Sequence, residues 1–188
     1  QEISSKSTGL YKEKGSKFIG YSFIVHSEEN VKDKIVKVKK LEPSANHYCY
    51  AYIIHPDKSL YRVNDDGEPN STAGRQILNQ IKKYNLTNIL IVVVRYFGGI
   101  KLGIPGLIRS YSTAALLVLE NTSVITKNIE EKYSIIFNHS EMHKVMQIVK
   151  DYKLNIIDKQ FKAKNKLTFM VPKNKSNLVI NKFKENHN

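Results

Sequence analysis

Asn88-Ile89-Leu90-Ile91-Val92-Val93-Val94-Arg95-Tyr96-Phe97-Gly98-Gly99-Ile100-Lys101-Leu102-Gly103-Ile104-Pro105-Gly106-Leu107-Ile108-Arg109 is the stretch around which the chain is organised. Six consecutive apolar residues, mostly β-branched Ile and Val, read as a strand covered on both faces. The run stops at a cationic, glycine-dense turn. Pro105 then stands in a first helical turn, where its missing N–H costs nothing. Leu107, Tyr111, Ala114, Ala115 and Val118 follow at helical spacing. A strand, a basic glycine loop and a helix N-terminus together make a recipe for holding an anion. The competing reading is a tight turn whose glycines only supply positive φ. Four glycines, two arginines and a lysine within residues 95–109 favour the site.

Outward from this stretch, composition sets limits. The chain has 188 residues, enough for one large domain or two small ones. Its apolar runs are far too short to span a membrane, and no signal-peptide pattern opens the sequence. A single cysteine, Cys49, rules out an internal disulfide and fits a reducing, cytoplasmic setting. The net charge of +13 points to polyanionic partners, RNA or the ribosome first. A Lys- and Asn-rich genome bias accounts equally well for charge alone.

Lys17 to Val25 reads as a first strand, and Ser27 as the cap of a helix with Val31, Ile35, Val38 and Leu41 on one face. His47 to Ile54 alternates, with Tyr48, Tyr50 and Tyr52 opposite Cys49, Ala51 and Ile53; a turn at His55–Lys58 leads to a second strand through Leu60, Tyr61 and Val63. His47 and Cys49 share a face, but no further ligands stand at zinc spacing. The hairpin runs into Asp65-Asp66-Gly67-Glu68-Pro69-Asn70-Ser71-Thr72-Ala73-Gly74 and then a helix through Ile77, Ile81 and Tyr84. Ser and Thr here read as N-cap residues. Asp65, Asp66 and Glu68 read either as turn residues, as partners for the basic loop, or as ligands of a hydrated Mg²⁺.

A domain boundary is expected near Lys127, giving residues 1–127 and 128–188. Beyond it, a strand at Tyr133–Phe137, a helix capped by Ser140, strands at Leu154–Phe161 and Leu167–Val171, and a helix over about Ser176–Lys184 give the order β-α-β-β-α. That is a split βαβ sandwich whose closing strand would follow His187. From Tyr133 onward 11 lysines stand against four acids, so this half is the more basic per residue. The expected fold class is α+β throughout.

The glycine loop is neither a Walker loop nor a dinucleotide fingerprint, and no triad or activated nucleophile is in view. Asp65-Asp66-Gly67-Glu68-Pro69 with Thr72-Ala73-Gly74, then Val94-Arg95-Tyr96-Phe97-Gly98-Gly99-x-Lys101-Leu102-Gly103-x-x-Gly106-Leu107, together with His47-x-Cys49-x-Ala51, resembles the IMPACT family and its bacterial YigZ-like members. The chain departs from the family pattern at Asn70-Ser71, where a small residue and Gly are usual, at Gln76, and at Pro105. The resemblance implies an N-terminal domain like the second domain of a small-subunit ribosomal protein. It also implies a C-terminal ferredoxin-like domain similar to one in elongation factor G. Eukaryotic members regulate translation through a protein partner, an activator of an initiation-factor kinase.

The resulting expectation is a non-enzymatic, translation-associated protein that binds RNA or ribosomal components, with a translation-factor partner as a further candidate. Arg95, Tyr96, Gly98, Gly99, Lys101, Gly103, Gly106 and Arg109 form the candidate anion site, with Thr72, Ala73 and Gly74 at the neighbouring helix start. Asp65, Asp66 and Glu68 are expected to orient those cations. No cofactor is expected, Mg²⁺ at the acidic loop being the alternative. The rival classes are a Mg²⁺-dependent enzyme acting on a phosphorylated small molecule and a pure protein-interaction module. Both loops are expected on one surface, with Arg95 or Arg109 approaching a carboxylate.

Overall fold

The computed structural model describes residues 1–161 and 164–185 and divides into two compact units, Gln1–Lys127 and Asn128–Asn188. The first unit opens with β1 (Glu2–Ile3), β2 (Thr8–Glu13) and β3 (Ser16–Ile24), followed by α1 (Glu28–Leu41), β4 (His47–Ile54) and β5 (Leu60–Asn64). Next come α2 (Gly74–Lys83), β6 (Ile89–Tyr96), α3 (Gly103–Glu120) and β7 (Val124–Ile125), which pairs with β1. The main sheet runs β2-β3-β6-β4-β5, with every neighbouring pair antiparallel.

The unbroken apolar run of β6 follows from its central place. Ile89, Ile91 and Val93 join Cys49, Ala51 and Ile53 in a core closed by α2 and α3. Leu90, Val92 and Val94 point the other way, to Tyr52, Ile54 and the α1 residues Val31 and Val38. Period-two alternation thus feeds two separate cores, so no position of Ile89–Val94 is left for a polar residue. Ser27 caps α1 through its hydroxyl, which accepts from the Asn30 N–H at 3.2 Å.

Strand β2 was not foreseen from the sequence. It pairs with β3 from Thr8↔Tyr21 to Glu13↔Ser16 across the two-residue turn Lys14-Gly15, both at positive φ (45° and 77°). Two such residues give a turn whose twist suits a hairpin, but Leu10 and Tyr11 carry too little alternation to announce a strand.

The second unit contains β8 (Glu130–Phe137), a 3₁₀ turn at His139–Glu141, α4 (Met142–Asp151), β9 (Asn155–Gln160), β10 (Asn165–Pro172) and α5 (Ser176–Glu185). The cap after β8 is Asn138, in a reciprocal capping box with Glu141, rather than Ser140. The sheet order β8-β10-β9 is antiparallel, and α4 and α5 share one core with Phe137, Leu167, Phe169 and Val171. Phe169 is fully buried against Phe183, so it offers no platform for stacking bases. This is the β-α-β-β-α order of a ferredoxin-like domain. The connection at Lys162-Ala163 and the expected closing strand lie outside the described residues. No helix among the described residues is long and apolar enough to cross a membrane.

Candidate functional site

Strand β6 delivers Arg95 to the edge of the core shared by α2 and α3. The arginine is 5% exposed. Its Nη1 donates to Glu68 Oε1 at 2.6 Å, and its guanidinium lies 5.5 Å from the Phe18 ring centre and 5.6 Å from that of Phe97. Its Nε is buried with no partner among the described residues. Glu68, with a side chain only 4% exposed, also accepts from the Tyr111 hydroxyl at 2.7 Å on the same oxygen. His47 Nε2 stands 4.0 Å from that oxygen, while its Nδ1 meets the Asp66 carbonyl oxygen at 2.8 Å. Cys49 completes the cluster, its thiol 3.3 Å from the Tyr111 oxygen. Burial pushes the Cys49 thiol well above the ordinary range, which leaves it protonated and not a nucleophile.

The two motifs therefore meet, through Glu68 and Arg95. Next to their ion pair lies a cavity of about 390 Å³. Pro69, Phe97, Leu102, Ile104 and Leu107 give it apolar walls, and Glu68, Arg95 and Lys101 give it polar ones. Helix α3 begins at the cavity wall, at Gly103. No side chain caps it. The N–H groups of Gly103 and Ile104 donate to nothing among the described residues, and Pro105 has no N–H to donate. Phe97, Ile100, Lys101 and Ile104 are exposed around this opening.

Several expected site residues are placed elsewhere. Tyr96 points to the α1 side of the sheet, where its hydroxyl donates to Glu42 at 2.6 Å and that bond pushes its pKa up to about 12. Arg109 bonds Glu13 at 3.3 Å on an exposed surface and does not line the cavity. Gly106 is buried inside the first turn of α3. Gly98 serves the fold: a Cβ there would fall 1.9 Å from the Gly15 carbonyl carbon, so the turn after β6 is seated on the β2–β3 turn. Gly99 has φ of +85° with open space around it, so only its backbone conformation asks for glycine.

The acidic loop is likewise divided among separate tasks. Asp65, not Ser71 or Thr72, caps α2: its Oδ1 accepts from Ala73 and Gly74 at 3.0 and 2.8 Å, and its Oδ2 from Ser71 at 2.8 Å. The Thr72 hydroxyl donates instead to the Pro69 carbonyl. The α2 N-terminus is thus filled by the protein's own carboxylate, and Thr72-Ala73-Gly74 offers nothing to an anion. Asp66 accepts from the Tyr48 N–H at 2.6 Å, beyond the last β5 residue paired with β4, and so takes the place of a missing strand neighbour. Both Asp65 oxygens and Asp66 Oδ2 are spent on backbone donors. Among the described residues no group of three His, Cys, Asp or Glu side chains gathers to hold a metal ion. Ser71 adopts φ of +63°, so this loop does use the left-handed conformation at the position where the family pattern has Gly.

Sequence reading missed Ser16 and Asn46, which hold the turn after β6 by accepting from Gly98 and Phe97. It assigned Tyr111 only to an apolar stripe. The available signal was chemical: a tyrosine on a core-facing stripe must find a partner for its hydroxyl.

The family model for the Impact N-terminal domain matches residues 14–119. The IMPACT family member YvyE of Bacillus subtilis is 40% identical over 114 residues, 61% of this chain; the match spans about half (52%) of that relative's length. YigZ, an IMPACT family member of Escherichia coli, is 30% identical over 154 residues, 80% of this chain and 74% of its own. The crystal structure of a protein described as hypothetical is similar with a TM-score of 0.75 and 27% identity, covering 98% of this chain and 90% of that one. Because the Impact match takes in both loops and the strands that carry them, and the YigZ match extends over four fifths of the chain, this protein belongs to the IMPACT family.

Proposed function

We propose that this chain is a translation-associated protein that binds single-stranded RNA, free or on the ribosome, through the loop Gly98–Gly106 and the cavity beside it. The observation that carries this reading is the open N-terminus of α3 next to Lys101. Two free N–H groups, the positive end of a helix and a lysine form a seat for one phosphate. Exposed Phe97, at 48%, offers a face on which a base stacks. The net charge of +13 supplies long-range attraction. In the second unit, the lysine excess adds further phosphate contacts without a defined seat.

Fluorescence anisotropy with a labelled oligoribonucleotide over a salt series tests this. Log affinity should fall with log salt by about 0.7 per phosphate contacted. Lys101→Glu should weaken binding and make the salt dependence shallower. A flat salt response, or unchanged affinity in Lys101→Glu, overturns the proposed seat.

A further inference from the structure

The α1 side of the main sheet carries a second cavity, of about 310 Å³, between α1 and the β2–β3 hairpin. Tyr21 and Phe23 of β3 and Leu41 of α1 give it apolar walls, and Lys6 and Lys37 line it as well. Leu10 extends the apolar surface along β2, because it pairs with Ile19 as Thr8 pairs with Tyr21 and so shares their face. Leu10 and Leu41 are 49% and 58% exposed, which leaves an aliphatic groove open to solvent.

The charge around this groove is of one sign. The Lys34 ammonium lies 5.9 Å from the Phe23 ring centre, and Lys12 stands directly opposite Lys17 across the hairpin. Like charges placed directly opposite one another in a sheet are destabilising. None of these three lysines, nor Lys6 or Lys37, has a carboxylate within ion-pair distance among the described residues. No Asp or Glu lines the cavity, and Glu42, just beyond α1, is occupied by the Tyr21 and Tyr96 hydroxyls. One such lysine is a solvated surface residue. Unpaired lysines from α1 and from the hairpin, gathered about one apolar groove, are a complement to negative charge.

Nucleic acid would answer to the charge, but the groove itself does not suit a base. The Phe23 ring is 7% exposed beneath Lys34, so it has no free face for stacking. The buried floor has no donor to offer either. The Ser7 hydroxyl donates to the Val118 carbonyl at 2.7 Å, the Ser7 N–H donates to the Ser22 hydroxyl oxygen at 2.9 Å, and the two hydroxyls are 2.7 Å apart. The complementary ligand is apolar where it enters and negative on its flanks.

We propose that this groove docks an acidic peptide segment of a partner protein, with a leucine-sized side chain beside Phe23 and Leu41 and flanking carboxylates on Lys6, Lys34 and Lys37. The cavity at α3 belongs to the other side of the sheet, where Leu102 and Leu107 pack, so the two sites stand or fall separately.

Fluorescence anisotropy on the full chain tests this with three labelled peptides: leucines between glutamates, the same with serine for leucine, and the same with glutamine for glutamate. The first should bind at least about tenfold tighter than either control, which lacks the buried aliphatic group or its flanking charges. Lys37→Glu and Leu41→Ser, both at exposed positions, should each weaken the first peptide about tenfold with unchanged circular dichroism. Lys83→Glu on α2 makes the same change in net charge and should alter affinity by less than about twofold. Equal binding of the first peptide and either control, an equal loss in Lys37→Glu and Lys83→Glu, or binding of no peptide overturns the proposal. So does oligouridylate that displaces the first peptide and is itself weakened by Lys37→Glu, which would make the groove a nucleic-acid surface.

Discussion

Helices α2 and α3 both start just beyond a loop that leaves the same sheet, yet their first turns are completed differently. At α2 the loop bends back and places Asp65 on the Ala73 and Gly74 amides, so the positive end of the helix is neutralised within the chain. At α3 the loop supplies glycines and a lysine, no side chain caps the end, and a cavity lies against it. A finished helix end contributes to stability. An unfinished one forgoes about 1 kcal/mol of capping and leaves its first donors without an acceptor among the described residues. Glu68 of the acidic loop is paired with Arg95 of β6, three residues before the glycine loop, so the ion pair ties the acidic loop to the strand that leads into α3.

The largest effect is expected at that joint. Arg95→Ala leaves Glu68 buried beside Tyr111 without its cation and should cost about 3–5 kcal/mol in urea denaturation. A cost near zero would mean that the two loops are stabilised independently. Next is Asp65→Ala, which strips the cap from α2 and should cost about 1–2 kcal/mol, with faster amide exchange at Ala73 and Gly74. If exchange there is unchanged, α2 is not completed by Asp65 and the contrast collapses. The smallest effect has the opposite sign. Ile104→Glu puts a carboxylate in the exposed first turn of α3 and should raise stability by about 0.3–1 kcal/mol while weakening phosphate binding. Lower stability with unaltered binding would show that α3 has no open end to fill.

Much of this arrangement was legible in the residues. The run Ile89–Val94 announced a strand with both faces covered, because alternation into two cores leaves no polar position. The second unit's element order was equally plain from its apolar stripes. Legibility ended where hydrogen bonds connect distant segments. Ser71 and Thr72 have the composition of an N-cap, but the donors of α2 are taken by Asp65, six or more residues earlier, as local propensity gave way to a charged acceptor. Tyr96 and Arg95 are neighbours in one motif, yet strand alternation sends one to Glu42 and the other to Glu68.

By itself the sequence determined which residue types gather: a central apolar strand, a cationic glycine loop, an acidic loop, and a basic second half. Periodicity, turn chemistry and net charge are local or summed properties, and they survive without coordinates. Tertiary structure decided the partners. Whether a carboxylate caps a helix, completes a strand or pairs an arginine depends on which donor lies within hydrogen-bond reach, and that distance is fixed only when β4, β6 and α3 pack together. Three acids that read alike in a row, Asp65, Asp66 and Glu68, thereby received three different tasks, and Glu68 alone among them lines the cavity.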